Sequence, residues 1–102
     1  MLKHIVMWKF LETAEEKSRQ ENMDLVRDRL LALKTEIPEL LSMEIGQDIG
    51  AGRDTYDMIL MTSFLDADAL ERYQQHPAHK AISQYVAKVR SSRACVDFLT
   101  EC

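Results

Sequence analysis

The segment that most limits the fold is the first one. In residues 2–10, Leu2, His4, Val6, Trp8 and Phe10 share one face of an extended strand by its two-residue period, and Ile5 and Met7 share the other, between Lys3 and Lys9. A strand in a sheet with one wet face carries polar residues on that face, and this one does not. Residues 56–64 repeat the pattern, with Tyr56, Met58, Leu60 and Phe64 set against Ile59 and Met61. A sheet built from these strands needs cover on both sides.

The rest of the chain supplies one of those covers. Thr13 and Glu16 have capping-box spacing, which places a helix start near residue 14. Met23, Val26, Leu30, Leu33 and Ile37 then form a single apolar stripe, and Pro38 ends it. Residues 41–49 alternate as a second strand, and Gly50-Ala51-Gly52 turns it into the strand at 56–64, a hairpin. Asp66 caps a second helix that carries Ala69, Leu70 and Tyr73. Pro77 interrupts it and opens a further helix with Ile82, Tyr85, Val86 and Val89. Residues 93–100 form a last strand around Val96 and Phe98.

The order β-α-β-β-α-β predicts an α+β, ferredoxin-like split βαβ fold: a four-stranded antiparallel sheet with the helices on one face. The simplest cover for the other face is a second copy, so the sheet faces predict a homodimer. The 102 residues suffice for one domain, 1–102. Thirteen basic against seventeen acidic residues give a net charge of −4, which argues against nucleic acid as the partner. No apolar run reaches the roughly 20 residues of a membrane span, and no leader is expected. Two late cysteines, Cys95 and Cys102, make neither a disulfide scaffold nor a zinc motif, and point to a reduced, cytoplasmic setting.

Reactive side chains concentrate in Tyr73-Gln74-Gln75-His76-Pro77-Ala78-His79. With Pro77 opening a helix, His79 lies in its first turn, where the dipole disfavours imidazolium. A neutral imidazole there can accept a proton, and the Tyr73 phenol can hold an oxygen. The plainer roles are a helix cap for His76 and core packing for Tyr73. His4 shares a strand face with Val6 and Trp8, either as a hydrogen-bonded core residue or as a pocket residue. Trp8 fills core and narrows any pocket beside it. Glu15, Glu16 and Lys17 are not arranged as metal ligands.

These residues, together with Ile37-Pro38, Gly46, Asp48 and Val96-Asp97-Phe98, resemble the stress-responsive A/B barrel domain (Dabb) family over nearly the whole chain. The resemblance implies a dimeric α+β barrel. It also implies two functions. The first is a small-molecule-binding or stress-related dimer without chemistry. The second is a cofactor-independent cyclase or lyase on a small keto or polyketide-like compound. In a polyketide-cyclising member, a His of the His-Pro-Ala-His segment is the base and a Tyr six residues earlier assists. These positions match His79 and Tyr73, and the pocket-lining strand His matches His4. The lining differs: Leu30 and Met58 stand where that member has a Tyr and a His, and Trp8 and Arg90 replace smaller or aliphatic groups. A different substrate follows. No cofactor is implied. Some plant relatives hold Mg²⁺ through backbone carbonyls after the first helix, which corresponds to residues 34–40. Cofactor-free monooxygenases share the fold, but the His-Pro-Ala-His segment points away from them.

Overall fold

The structure, a computed structural model, describes residues 1–100; Cys102 lies outside the described residues. Strand β1 (Leu2–Phe10) leads through two short strands, β2 (Thr13–Ala14) and β3 (Lys17–Ser18), into helix α1 (Arg19–Glu36). Strands β4 (Ser42–Gln47) and β5 (Met58–Phe64) follow, then α2 (Ala67–Gln75), α3 (Pro77–Val89) and β6 (Arg90–Leu99). The main sheet has the order β4-β5-β1-β6, and every pairing in it is antiparallel. This is the ferredoxin-like α+β architecture expected from the order of elements.

The start of α1 corrects the sequence expectation. Residues 15 and 16 adopt left-handed backbone, with φ 52° at Glu15 and 62° at Glu16, and turn β2 back onto β3. Two consecutive positive φ values give the mirror-image turn that matches the twist of a hairpin. The capping box is therefore Ser18 with Glu21: the Glu21 amide donates to Ser18 Oγ and the Ser18 amide to Glu21 Oε1. Those hydrogen bonds also hold the exposed Glu21 carboxyl below its usual range. Thr13 and Glu16 have the same spacing, but the apolar stripe begins only at Met23, so packing selects the later cap. Asn22, fully buried, ties the hairpin down, since its amide donates to the Ala14 carbonyl while Tyr85 Oη donates to Asn22 Oδ1.

The strands also shift at their ends. β4 and β5 are shorter than 41–49 and 56–64, because residues 48–57 form a loop, whereas β6 begins at Arg90 directly after α3. In that loop Asp48 accepts from the Gly50 amide and from Thr55, and Gly50 takes the positive φ that the turn needs.

The helices cover one face of the sheet. α1 buries Met23, Val26, Leu30 and Leu33, and α3 buries Ile82, Val86 and Val89. They pack on Leu2, Val6, Trp8, Leu60 and Phe64, all buried. Asp66 caps α2 through the Ala69 amide, and the His76 ring caps α3 through the Ala78 amide. On the opposite face the register aligns Ile5 with Met61 and Val96, and Met7 with Ile59 and Ala94. Among the described residues, no element covers that face. Ile5, Met7, Ile59 and Met61 are only half-buried, and Val96 and Phe98 are 55% and 44% exposed.

Candidate functional site

Between the sheet and the helix layer lies a cavity of about 300 Å³. Its apolar wall comes from Val6, Trp8 and Leu60 of the sheet, Leu30 of α1, and Ile82 and Val86 of α3. Its polar groups are His4, His79, Ser83, Arg90 and Arg93. Helical periodicity explains the α3 side: residues 79, 82, 83, 86 and 90 recur at three- and four-residue steps. The pleat explains the sheet side, where His4, Val6 and Trp8 all point inward.

His4 is buried at 3% exposure. Its Nδ1 is hydrogen-bonded to Asp97 Oδ1 on the neighbouring strand, directly across the register. A carboxylate accepting from Nδ1 fixes the ring's orientation, and in the neutral imidazole it leaves the lone pair on Nε2. Thr62 Oγ1 donates to the His4 carbonyl at 3.1 Å and pins the backbone as well. The sequence marks Asp97 only as part of the Val96-Asp97-Phe98 resemblance. Its position two residues from Cys95 on an antiparallel strand becomes meaningful only with the β1–β6 register.

His79 is positioned differently. Its ring stacks on Tyr73, with centroids 4.5 Å apart and planes tilted by 53°, and Tyr73 in turn packs on Phe64 at 4.9 Å. His79 Nδ1 is buried without a hydrogen-bond partner among the described residues. Burial pushes the imidazole below its ordinary range; the Gln74 carbonyl opposes this, and the nearby His4, Arg93 and His76 add to it. His79 therefore stands neutral near pH 7. Tyr73 is fully buried, its hydroxyl also has no partner among the described residues, and burial pushes it up to about 12. It does not line the cavity; it forms the platform behind His79. The structure thus brings His4 and His79 to one cavity and sets Tyr73 outside it.

Among the described residues, one group of metal-ligating side chains comes together: His4, Cys95 and Asp97. Cys95 Sγ lies 3.6 Å from His4 Nδ1 and 3.7 Å from Asp97 Oδ1. Those separations suit ligands around a four-coordinate zinc, at roughly 3.5 Å. The direct His4–Asp97 hydrogen bond does not, because a metal would have to replace the proton between them. Burial and Asp97 push the Cys95 thiol up, away from the thiolate a metal needs. In residues 34–40, where the resemblance places backbone Mg²⁺ ligands, the Ile37 carbonyl already accepts from the Leu40 amide, and the Glu39 carboxylate is bonded to Arg72.

The fold and cavity define a class, that of ferredoxin-like α+β domains with a histidine-lined pocket between sheet and helices. Within that class, the chain belongs to the stress responsive A/B barrel domain (Dabb) family, whose model matches residues 2–100. It is 33% identical to an uncharacterized protein of Streptomyces coelicolor over 82 residues, covering 79% of this chain and 81% of that one. It is similar to a dimeric ferredoxin-like protein of unknown function from Thermobifida fusca, at TM-score 0.85 and 26% identity, covering 97% of this chain and 90% of that one. It shares its fold with a hydroxynitrile lyase from Passiflora edulis, at TM-score 0.82 and 14% identity, over 99% of this chain and 94% of that one.

Proposed function

We propose that the protein is a single-domain homodimer that binds a small carbonyl compound in the sheet–helix cavity. His79 then removes a proton from the carbon next to the carbonyl without a cofactor. The observation that carries this reading is a neutral histidine lining an apolar cavity that a second, oriented histidine also lines. Had core side chains filled that space, binding without chemistry would have been the better reading.

In the step proposed, His79 takes the proton, the C–H electron pair forms the C=C bond of an enolate, and the carbonyl electrons move to oxygen. Burial favours this, because a base is effective when it is neutral at the working pH. His4, held by Asp97, orients the bound molecule, and Tyr73 is a positioning residue behind His79. The dimer forms through the apolar outer face of the sheet, as the dimeric Thermobifida fusca relative supports. Cys95, exposed and without a disulfide among the described residues, suits a reducing, cytoplasmic setting.

The test needs no known substrate. Simple ketones are incubated with the protein in D₂O, and loss of the α-proton signal is followed by NMR. Exchange above the buffer rate that disappears in His79→Ala, with the circular dichroism unchanged, supports the reading. Exchange that survives His79→Ala overturns it. Binding without exchange leaves a carrier and no base.

A further inference from the structure

The geometry points to a ligand that carries a carboxylate as well as an apolar body, with Arg90 and Arg93 as its receptor. This rests on the cavity reading above and names the substrate class of that same site. Three observations carry it. First, the cavity is lined by two arginines and two histidines and by no acidic side chain, in a chain whose net charge is −4. Second, neither guanidinium has a carboxylate within ion-pair distance among the described residues; the ion pairs there are His4–Asp97 and Arg72–Glu39. Third, the two arginines are brought together by the junction of two elements. Arg90 is the C-cap of α3 and the first residue of β6, and Arg93 follows it on β6, opposite Trp8 in the register.

The chemistry of the pair suits an organic anion. Guanidinium groups present a planar fork of donors that meets a carboxylate in a bidentate fashion. Arg90 is half-buried beside the apolar wall, where water competes less for its donors. The rest of the cavity, from Val6 and Leu60 to Ile82, is apolar and suits a short aliphatic chain or a single ring. At about 300 Å³ it lies at the small end of ligand pockets, which rules out a long chain. A carboxylate at Arg90 and Arg93 places the body of the molecule against Trp8 and directs the carbonyl toward His79. Arg93 lies close enough to His79 to act on its charge, so one ligand can reach both.

The test compares 4-oxo-4-phenylbutanoate with its amide, which keeps the ketone and the ring and removes the charge. Calorimetry gives the affinities, and NMR in D₂O gives the exchange. The expected result is that the acid binds about tenfold tighter or better, as one charge-assisted contact is worth, and that the preference shrinks in high salt. Arg90→Gln and Arg93→Gln each reduce acid binding several-fold and leave the amide unchanged, and Arg93→Lys restores part of the loss. Equal binding of acid and amide to the unmodified protein overturns the carboxylate receptor, while His79-dependent exchange on both would leave the base reading standing. Arginine-dependent acid binding without exchange supports the receptor and overturns the base. No binding of the acid overturns the receptor. Inorganic phosphate and phenyl phosphate form a further arm: tighter binding of either than of the acid replaces the carboxylate with a phosphate and overturns the proposal as stated.

Discussion

The two faces of the sheet are built from the same strands and have opposite fates. The inner face is covered by the chain's own helices along β1 and β5, where His4 and Thr62 are buried and hydrogen-bonded, while Arg93, Cys95 and Asp97 of the edge strand β6 stay exposed. The outer face carries a comparable set of apolar side chains with none of the described elements upon them. Under the proposed function, the difference assigns each kind of work to its own face. Chemistry requires the covered face, where desolvation can hold His79 neutral. Assembly requires the open face, where Ile5, Met7, Ile59 and Met61 gain by meeting a second copy.

The strongest way to break this comparison is from the inside. Phe64→Ala removes a fully buried ring against which Tyr73 packs, and is expected to cost about 3–5 kcal/mol, read as a shift in the urea midpoint. The matching change outside is Met7→Asp. It should leave the fold intact and weaken the dimer by at least about 2 kcal/mol per copy, giving a monomer in light scattering. If Met7→Asp unfolds the chain without separating it, the outer face is not an interface.

Two changes on the inner face separate packing from charge. Tyr73→Phe deletes a buried hydroxyl that has no partner, so stability near neutral pH should hold or rise. The Tyr73 contribution is intact below its ordinary value of 10.0 and is lost as pH rises toward about 12. Tyr73→Phe should abolish that part of the alkaline loss. His79 works in the other direction. Its folded value is lowered, so the unfolded chain takes up the proton first. The His79 contribution is complete above the ordinary value of 6.5 and is lost as pH falls through the lowered one. Urea midpoints followed downward in pH should fall less in His79→Gln than in the unmodified protein. The smallest expected effect lies away from both faces. Glu16→Gly relieves a left-handed position in the β2–β3 turn and should stabilise by about 0.5–1 kcal/mol.

Much of this was legible in the residues, for identifiable reasons. The alternation in β1 and the Met23–Val26–Leu30–Leu33 stripe are set by period, and period survives folding. The cap at Asp66 and the break at Pro77 are local, and both stood where the residues placed them. The start of α1 was misplaced because Thr13/Glu16 and Ser18/Glu21 carry the same spacing, and only packing chooses between them. In the candidate site, His4 and His79 could be singled out by type and position; the ring His79 stacks on, Tyr73, is a sequence neighbour, but the partner of His4 comes from elsewhere in the fold. Asp97 lies 93 residues from His4 in the chain, and only the antiparallel register brings them face to face. Arg90 entered the pocket lining only through the family resemblance, and Arg93 gave no local signal, because nothing in the chain around it shows that it borders a cavity. Tyr73 could be read either as a phenol that holds an oxygen or as core packing, and its place at zero exposure, stacked under His79, is the packing alternative.

Strand β1 carries a further consequence. Its odd and even residues are committed to different tasks: His4, Val6 and Trp8 line the cavity, while Ile5 and Met7 lie on the face turned away from it. A one-residue slip of the strand against β5 and β6 would exchange the two sets and turn the pocket inside out. The segment is therefore closed to change in length as well as held to its side-chain pattern, and among related chains indels should gather in residues 48–57 and spare residues 2–10.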